Sequence, residues 1–216
     1  MQYSTAASDA LLALACLASV LGIWRSPRWG EKPLRATWWI AVAALLLTGA
    51  AATVGVLHFG VNERWQPLHA KLSQASSLLA LPALGVAALT LVRGWHWQRL
   101  GWCWVIICLS VLFEGAKRWG VLGSYTLLLN VVTLLMLLYA GFTQGGKALP
   151  AAVGAVALLI VAGLVVGTQG NFGPVLRVDV FHGLLSVAYP LLAWLLLHLH
   201  NGPGVTDGTQ KSVKTL

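Results

Sequence analysis

The residue types best suited to chemistry in this sequence are histidines and carboxylates at the ends of long apolar runs. His58 closes one run, and Asp179 and His182 open another. Because Asp179 and His182 are three positions apart, a helix that begins there presents both side chains on one face. Two imidazoles and a carboxylate suit zinc and leave a fourth position for water. The spacing therefore predicts a zinc site formed by His58, Asp179 and His182.

The same residues also admit two other interpretations. In a structural one, Asp179 caps its helix or pairs with Arg177, and His182 hydrogen-bonds a neighbouring helix. In the other, a haem is held between His182 and either His58 or His69, because histidines on adjacent helices can ligate haem iron. No CxxCH motif is present in the sequence to attach a haem covalently.

Three further residues are candidates for catalysis: Glu114, His69 and Ser73. His69 and Ser73 are one helical turn apart, so they are spaced as a base and a nucleophile; the alternative is hydrogen bonding between helices. Glu114 either faces the histidines as a general base or pairs with Lys117 and Arg118 on its own helix. In a zinc hydrolase, the metal would activate water while Glu114 or His69 moves the proton.

The elements that must position these residues follow from composition and hydropathy. The chain has 216 residues, of which 58% are hydrophobic and 9% charged, and its mean hydropathy is +0.78. A soluble globular domain has about 25% charged residues, so this composition excludes one. Seven continuous apolar runs predict transmembrane helices and disfavour a β-barrel, whose strands alternate. The runs are 10–24, 37–58, 69–92, 100–113, 121–142, 149–167 and 178–198.

The sequence thus predicts an all-α polytopic membrane protein with one domain, 1–200, and a disordered cytoplasmic tail, 201–216. The candidate residues collect at one end of the bundle, where we expect a polar site walled by the second, third, fourth and seventh helices. The three cysteines lie inside apolar runs without CxxC spacing, which is typical of small packing residues.

The net charge of +8 is explained by topology rather than by nucleic-acid binding, because the cations lie in short clusters between apolar runs. Loops on one side hold nine of the 14 Lys and Arg residues, and loops on the other side hold five. This bias predicts an outside N-terminus and a cytoplasmic C-terminus in a multi-pass protein of the cell inner membrane. Tryptophans near the run ends are typical of an interfacial belt. The expected partners are the lipid bilayer, a lipid substrate and other membrane subunits.

Two stretches carry a resemblance to known proteins: GAAATVGVLHFG at 49–60 and TQGNFGPVLRVDVFHGLLSVAYPLLAWLLL at 168–197. They resemble an uncharacterised bacterial family of seven-helix membrane proteins. In that family a Gly-rich second helix ends in His-Gly-aromatic, and the last helix opens with Asn/Asp-x-x-His after a Gln. The matching residues here are His58 with Phe59 and Gly60, then Gln169, and Asp179 with His182.

More distantly, the pattern is similar to the superfamily of alkaline ceramidases and progestin/adiponectin-type receptors. The resemblance implies a zinc ion held by three histidines, a nearby Ser and Asp, and hydrolysis of lipid amides. Two positions differ: Val54 stands where the superfamily has a Ser, and Ser186 where it has a second histidine of the last helix. Asp179 is then the candidate replacement for that histidine.

The leading functional hypothesis is a metal-dependent membrane hydrolase of lipid amides or esters. The alternatives are a non-enzymatic subunit or scaffold of a membrane complex and a transporter of small solutes. A transporter would need polar groups at mid-depth, where the sequence places only Thr48, Asn130 and Thr133.

Overall fold

Seven helices of the described residues are long and apolar enough to cross a membrane, which confirms the predicted number. The structure is a computed structural model that describes residues 2–199, so the predicted tail at 201–216 lies outside the described residues. The helices are α1 (Tyr3–Arg25), α2 (Arg35–Gly60), α3 (Gln66–Ala75), α4 (Leu81–Arg93), α5 (Arg99–Arg118), α6 (Leu122–Gln144), α7 (Ala148–Ile160) and α8 (Arg177–His198). A π-helical turn, Ser76–Ala80, joins α3 and α4 into one membrane-length helix, and a second, Val161–Val166, extends α7.

The start of the first helix differs from the sequence prediction. We expected the apolar run to begin at residue 10, but α1 begins at Tyr3. The polar residues Thr5 and Asp9 are buried inside the bundle rather than placed in a leading loop. The backbone N–H of Gln2 donates to the Phe59 carbonyl at 3.0 Å, which ties the start of α1 to the end of α2. Asp9 therefore lies about two turns into a membrane-length helix.

Small residues allow the helices to approach closely. A Cβ atom at Gly49 would lie 3.2 Å from the Cβ of Cys16, where α2 packs on α1. A Cβ atom at Gly85 would lie 2.9 Å from the Thr133 methyl group, where α4 packs on α6. Contacts of this kind are the usual basis of helix association in membranes, where lipid tails are as apolar as the helix surfaces. Cys16 is buried, as a packing residue should be, whereas Cys103 and Cys108 are exposed.

The sequence explains why the first π-helical turn forms and where the second one ends. Pro82 has no N–H to donate to the carbonyl of Leu78, so the helix widens just before it. The second π-helical turn ends at Gly167, whose positive φ of 65° stops the helix. Single π turns inside α-helices are frequent at functional sites.

A short hairpin, which the sequence analysis did not predict, precedes α8. Its strands β1 (Asn171–Phe172) and β2 (Val175–Leu176) pair antiparallel. The Arg177 guanidinium lies 4.5 Å from the centre of the Phe172 ring, and the backbone N–H of Arg177 donates to the Gly170 carbonyl. The hairpin and Arg177 thus fix where α8 begins, which sets the depth of Asp179 and His182.

Candidate active site

A cavity of about 640 Å³ opens inside the bundle at the end where the candidate residues were expected. Its lining comes from α1, α2, α3, α4, α6, α7, α8 and the two π-helical turns. The second, third and seventh membrane-length helices expected around the site line this cavity, together with the first, fifth and sixth, whereas no residue of α5, all of which is described, does so. Polar side chains in the lining come from α1, α2, α3, the first π-helical turn, α6 and α8, and much of the remaining lining is aliphatic. Pockets of this size and character typically hold a small amphipathic ligand.

The central contact of the site joins α1 to α8. His182 Nδ1 lies 3.1 Å from Asp9 Oδ1, and both side chains line the cavity. Asp9 is 1% exposed and His182 is 12% exposed. His182 Nδ1 therefore lies within hydrogen-bond reach of the Asp9 carboxyl group, and the Ser8 hydroxyl lies 3.4 Å from the same nitrogen. This is the arrangement in which a carboxylate orients an imidazole for proton transfer.

The hydrogen-bond partner of His69 fixes which of its ring nitrogens carries the proton. Its Nδ1 lies 3.2 Å from the Ala51 carbonyl oxygen, so Nδ1 carries the proton and Nε2 does not. His69 lines the cavity together with Ser73, one turn further along α3. Within residues 2–199 no hydrogen bond joins His69 to Ser73, so the predicted base-nucleophile pair is side by side but not engaged.

Gly55 determines how closely Asp9 and His69 approach each other. A Cβ atom built at Gly55 would collide with the Asp9 carboxylate and would lie 3.0 Å from His69 Cε1. The absence of a side chain on α2 therefore allows the Asp9 carboxylate and the His69 ring to share one space. Asp9 Oδ2, on that side, has no hydrogen-bond partner among the described residues. An unpartnered buried acceptor of this kind is expensive unless a ligand donates to it.

His58 lies behind His69 and does not line the cavity. The two rings stack with their centroids 5.8 Å apart, and the ring of Phe59 lies 4.4 Å from that of His58. His58 Nδ1 is buried without a partner among residues 2–199. The histidine cluster, by which we mean Asp9, His58, His69 and His182, thus has His58 as its outer member.

Asp179 shares a helix face with His182, as the spacing predicted. The Ser8 hydroxyl lies 3.4 Å from Asp179 Oδ1 and 3.4 Å from His182 Nδ1, so both side chains reach the same point on α1. Among the described residues no ion pair joins Asp179 to Arg177. Asp179 supports the α1–α8 contact from outside the cavity.

Glu114 lies far from this chemistry in the structure. It is half exposed on α5, where its carboxylate accepts from Arg118 Nε at 3.4 Å, one turn away. It does not line the cavity. The structure therefore contains the local ion pair that the i to i+4 spacing allowed.

A second polar group lies deeper in the cavity. The hydroxyl of Thr48 lies 2.9 Å from that of Ser76 and 3.3 Å from that of Tyr189, so α2, the first π-helical turn and α8 meet there. All three residues are buried and contribute to the lining. The sequence places Thr48 at mid-depth, and the structure adds Ser76 and Tyr189 to it.

The predicted zinc ligands do not converge in this arrangement. Zinc in a catalytic site takes three protein ligands and a water. In residues 2–199 no three His, Cys, Asp or Glu side chains are grouped as a metal site, and His182 directs Nδ1 at Asp9 while His58 packs on His69. The donor set therefore does not fit a tetrahedral metal as it stands, and the zinc site stays a prediction.

The most important residue that sequence reasoning missed is Asp9. The signal was present, because Thr5, Ser8 and Asp9 follow an i, i+3, i+4 pattern at the start of an apolar run. An ionisable residue on one polar face of a transmembrane helix is by default a candidate site residue. The predicted apolar run begins at residue 10, so all three residues fell outside the first predicted helix.

The chain belongs to a family of unknown function (DUF6962), whose family model matches residues 4–201. The match spans every membrane-length helix, and it provides no link to ceramidases or to progestin/adiponectin-type receptors. No curated protein and no solved structure shows a significant match to the chain.

Proposed function

We propose that this protein is a membrane-embedded hydrolase of an amphipathic lipid ester or amide, with His182 as its general base. The observation that carries the proposal is the 3.1 Å contact between His182 Nδ1 and Asp9 Oδ1 at the wall of a largely apolar cavity. A buried carboxylate that fixes an imidazole serves proton transfer to or from a ligand in the adjacent space.

The proposed mechanism uses a water molecule as the nucleophile and protein side chains for every other role. His182 Nε2 takes a proton from a water molecule as the water oxygen attacks the substrate carbonyl carbon. The Asp9 carboxylate stabilises the imidazolium that forms, and the Ser73 hydroxyl donates to the developing oxyanion. His182 then returns the proton to the leaving oxygen or nitrogen as the bond to the carbonyl carbon breaks.

The shape of the cavity supports a lipid substrate. Its histidine-lined region contains Asp9, His69, Ser73 and His182, whereas aliphatic residues of α6 and α7 line a large part of the wall. A substrate with a polar carbonyl group and an aliphatic chain satisfies both surfaces. The similarity to lipid-amide hydrolases noted from the sequence agrees with this class of substrate.

The proposal includes membrane insertion and orientation. Seven apolar helices and the larger number of cations at the end opposite the histidine cluster support a multi-pass protein of the inner membrane. The cavity then opens toward the outer leaflet, and the C-terminus is cytoplasmic.

The test is hydrolysis of a fluorogenic palmitoyl ester and a fluorogenic palmitoyl amide by the detergent-purified protein. We expect turnover by the wild type, loss in His182→Gln and Asp9→Asn, and retention in His96→Gln, a matched control at the other end of the bundle. Equal turnover in all four proteins would show a contaminant or another site. Absence of turnover with both substrates in the wild type would overturn the hydrolase proposal.

The zinc prediction needs a separate measurement. Elemental analysis of the wild type beside His58→Ala and His182→Ala decides it. About one zinc per chain, lost in both variants, would confirm the predicted ligands and require the helices to close further than in this structure. Hydrolysis that persists in metal-free protein would instead support the Asp9–His182 base acting alone.

A further inference from the structure

Two adjoining clefts lie at the end of the bundle opposite the histidine cluster. The first, of about 420 Å³, is lined by Lys32, Arg35, His96 and Arg99 together with aromatic and small residues. The second, of about 610 Å³, is an apolar groove between α2 and α5 that includes Ile40, Ile106 and Ile107. Ala36, Trp39 and Arg99 belong to both linings, so the two clefts are continuous.

The cations of the first cleft have no carboxylate partner in the described part of the chain. Within residues 2–199 no carboxylate lies within 4.0 Å of Lys32, Arg35 or Arg99, although Glu31 is adjacent to Lys32 in sequence. All three cations are exposed. Three cations around one cleft, without a carboxylate partner among residues 2–199, attract an anionic group.

Tryptophans place this cleft at the depth of lipid headgroups. Trp29 and Trp39 rings contact edge to face with centroids 4.8 Å apart, and Trp97 packs on Trp102 at 5.6 Å. Trp39 and Trp97 both line the basic cleft. Tryptophan clusters of this kind mark the membrane interface, where phosphate groups lie.

The apolar groove exists because α5 packs loosely on its neighbours. Along the whole of α5, which is fully described, only Trp102 and Ala116 are buried. Cys103 and Ile107, which line the groove, are exposed. An occupant with a long aliphatic chain would cover this surface.

We propose that these two clefts form a binding site for one anionic phospholipid. Its phosphate lies among Lys32, Arg35 and Arg99, and one acyl chain follows the groove between α2 and α5. A basic pocket between transmembrane helices at a membrane face is the usual form of an anionic-lipid site. The site is separate from the histidine cluster and does not depend on the hydrolase proposal.

The experiment is native mass spectrometry of the delipidated full chain in detergent, titrated with phosphatidylglycerol or phosphatidylcholine of identical acyl chains. We expect the first bound phosphatidylglycerol to be at least roughly tenfold tighter than phosphatidylcholine. The triple variant Lys32→Gln/Arg35→Gln/Arg99→Gln should lose this preference. A triple variant at the same end but outside the cleft, Arg25→Gln/Arg93→Gln/Lys147→Gln, should keep it.

Two further measurements distinguish binding of a whole lipid from binding of a phosphate group alone. Ala36→Trp fills the groove without changing charge, so it should weaken phosphatidylglycerol binding, whereas glycerol phosphate should compete poorly. Strong competition by glycerol phosphate, or tight lipid binding in Ala36→Trp, would overturn the lipid assignment.

Equal binding of both lipids by the wild type, or equal loss in the two triple variants, would overturn the site itself. If the first triple variant does not fold, Arg99→Gln alone provides the test, with a roughly fivefold fall in preference expected. An unchanged preference in that single variant would likewise overturn the proposal.

Discussion

The two ends of the bundle differ in how their polar groups are satisfied. At the histidine cluster, Asp9 is 1% exposed and contacts His182 at 3.1 Å, with Gly55 providing the space for the carboxylate. At the basic cleft, Lys32, Arg35 and Arg99 are exposed and have no carboxylate partner within the described chain. Burial holds the Asp9 and His182 side chains in one geometry and makes either of them costly to remove. Exposed side chains keep their charge but are not held in one geometry.

This difference separates the kinds of function that each end can serve. Proton transfer requires donor and acceptor atoms held at hydrogen-bond distance, which the packed α1–α8 contact provides. Recognition of an anionic headgroup requires only cations at the right depth, which flexible exposed side chains provide. Substitutions at the histidine cluster should therefore change rate and stability, and those at the basic cleft should change lipid binding alone.

The largest expected effect separates the two ends directly. His182→Gln should lower the hydrolysis rate by about 10²–10⁴-fold, because it removes the general base, while leaving the preference for phosphatidylglycerol unchanged. The triple variant Lys32→Gln/Arg35→Gln/Arg99→Gln should lose the preference for phosphatidylglycerol and keep the wild-type hydrolysis rate. The measurement is the rate and the lipid preference of each variant in the same detergent. Loss of both properties in either variant would show that the two ends act as one site.

Gly55→Ala should give the next largest effect. The added methyl group collides with the Asp9 carboxylate and crowds His69, so thermal unfolding should show a loss of about 1–3 kcal/mol. Gly22→Ala is the matched control on α1, because nothing lies within 4 Å of a Cβ atom there. In that variant the greater helix propensity of alanine should leave stability unchanged or slightly raised. A Gly55→Ala variant as stable as Gly22→Ala would contradict the close approach of α1 and α2.

Thr48→Val tests the deeper polar group. Removing its hydroxyl leaves Ser76 and Tyr189 without their shared neighbour, so we expect a cost of about 1 kcal/mol in unfolding. Thr53→Val, on the same helix, is the control, because the Thr53 hydroxyl is exposed and, among residues 2–199, donates only to the Gly49 carbonyl of its own helix. Similar unfolding temperatures for both variants would show that the Thr48 hydroxyl contributes no more to stability than the exposed Thr53 hydroxyl.

Glu114→Gln should have the smallest effect of all. Its exposed pair with Arg118 contributes at most about 0.5 kcal/mol, and it lies outside the cavity. Unfolding temperature and hydrolysis rate should both match the wild type. A large fall in rate would return Glu114 to the role of general base that the sequence first suggested.

The family match gives these experiments a wider use. Because the chain belongs to a family of unknown function across residues 4–201, a confirmed reaction would provide a first hypothesis for related chains. The positions to compare in them are Asp9, Gly55, His69 and His182. Those four residues make the contacts on which the proposed chemistry depends.

Hydropathy and composition in the sequence determined the helical class and the number of membrane-length helices. These properties are local, because a helix of about 20 apolar residues satisfies its own backbone hydrogen bonds and needs no neighbour to be recognised. The positions of Asp179 and His182 on one face also followed, since a three-residue spacing fixes them through helical geometry alone.

Only the tertiary structure decided which polar groups meet. Asp9 and His182 are 173 positions apart, and their contact depends on α1 packing against α8 and on where the hairpin starts that helix. The same packing placed His58 behind His69 and left Glu114 on an exposed face. Hydropathy records how apolar each helix is but not which neighbour it packs against, because small residues and buried polar pairs select the partners in a membrane.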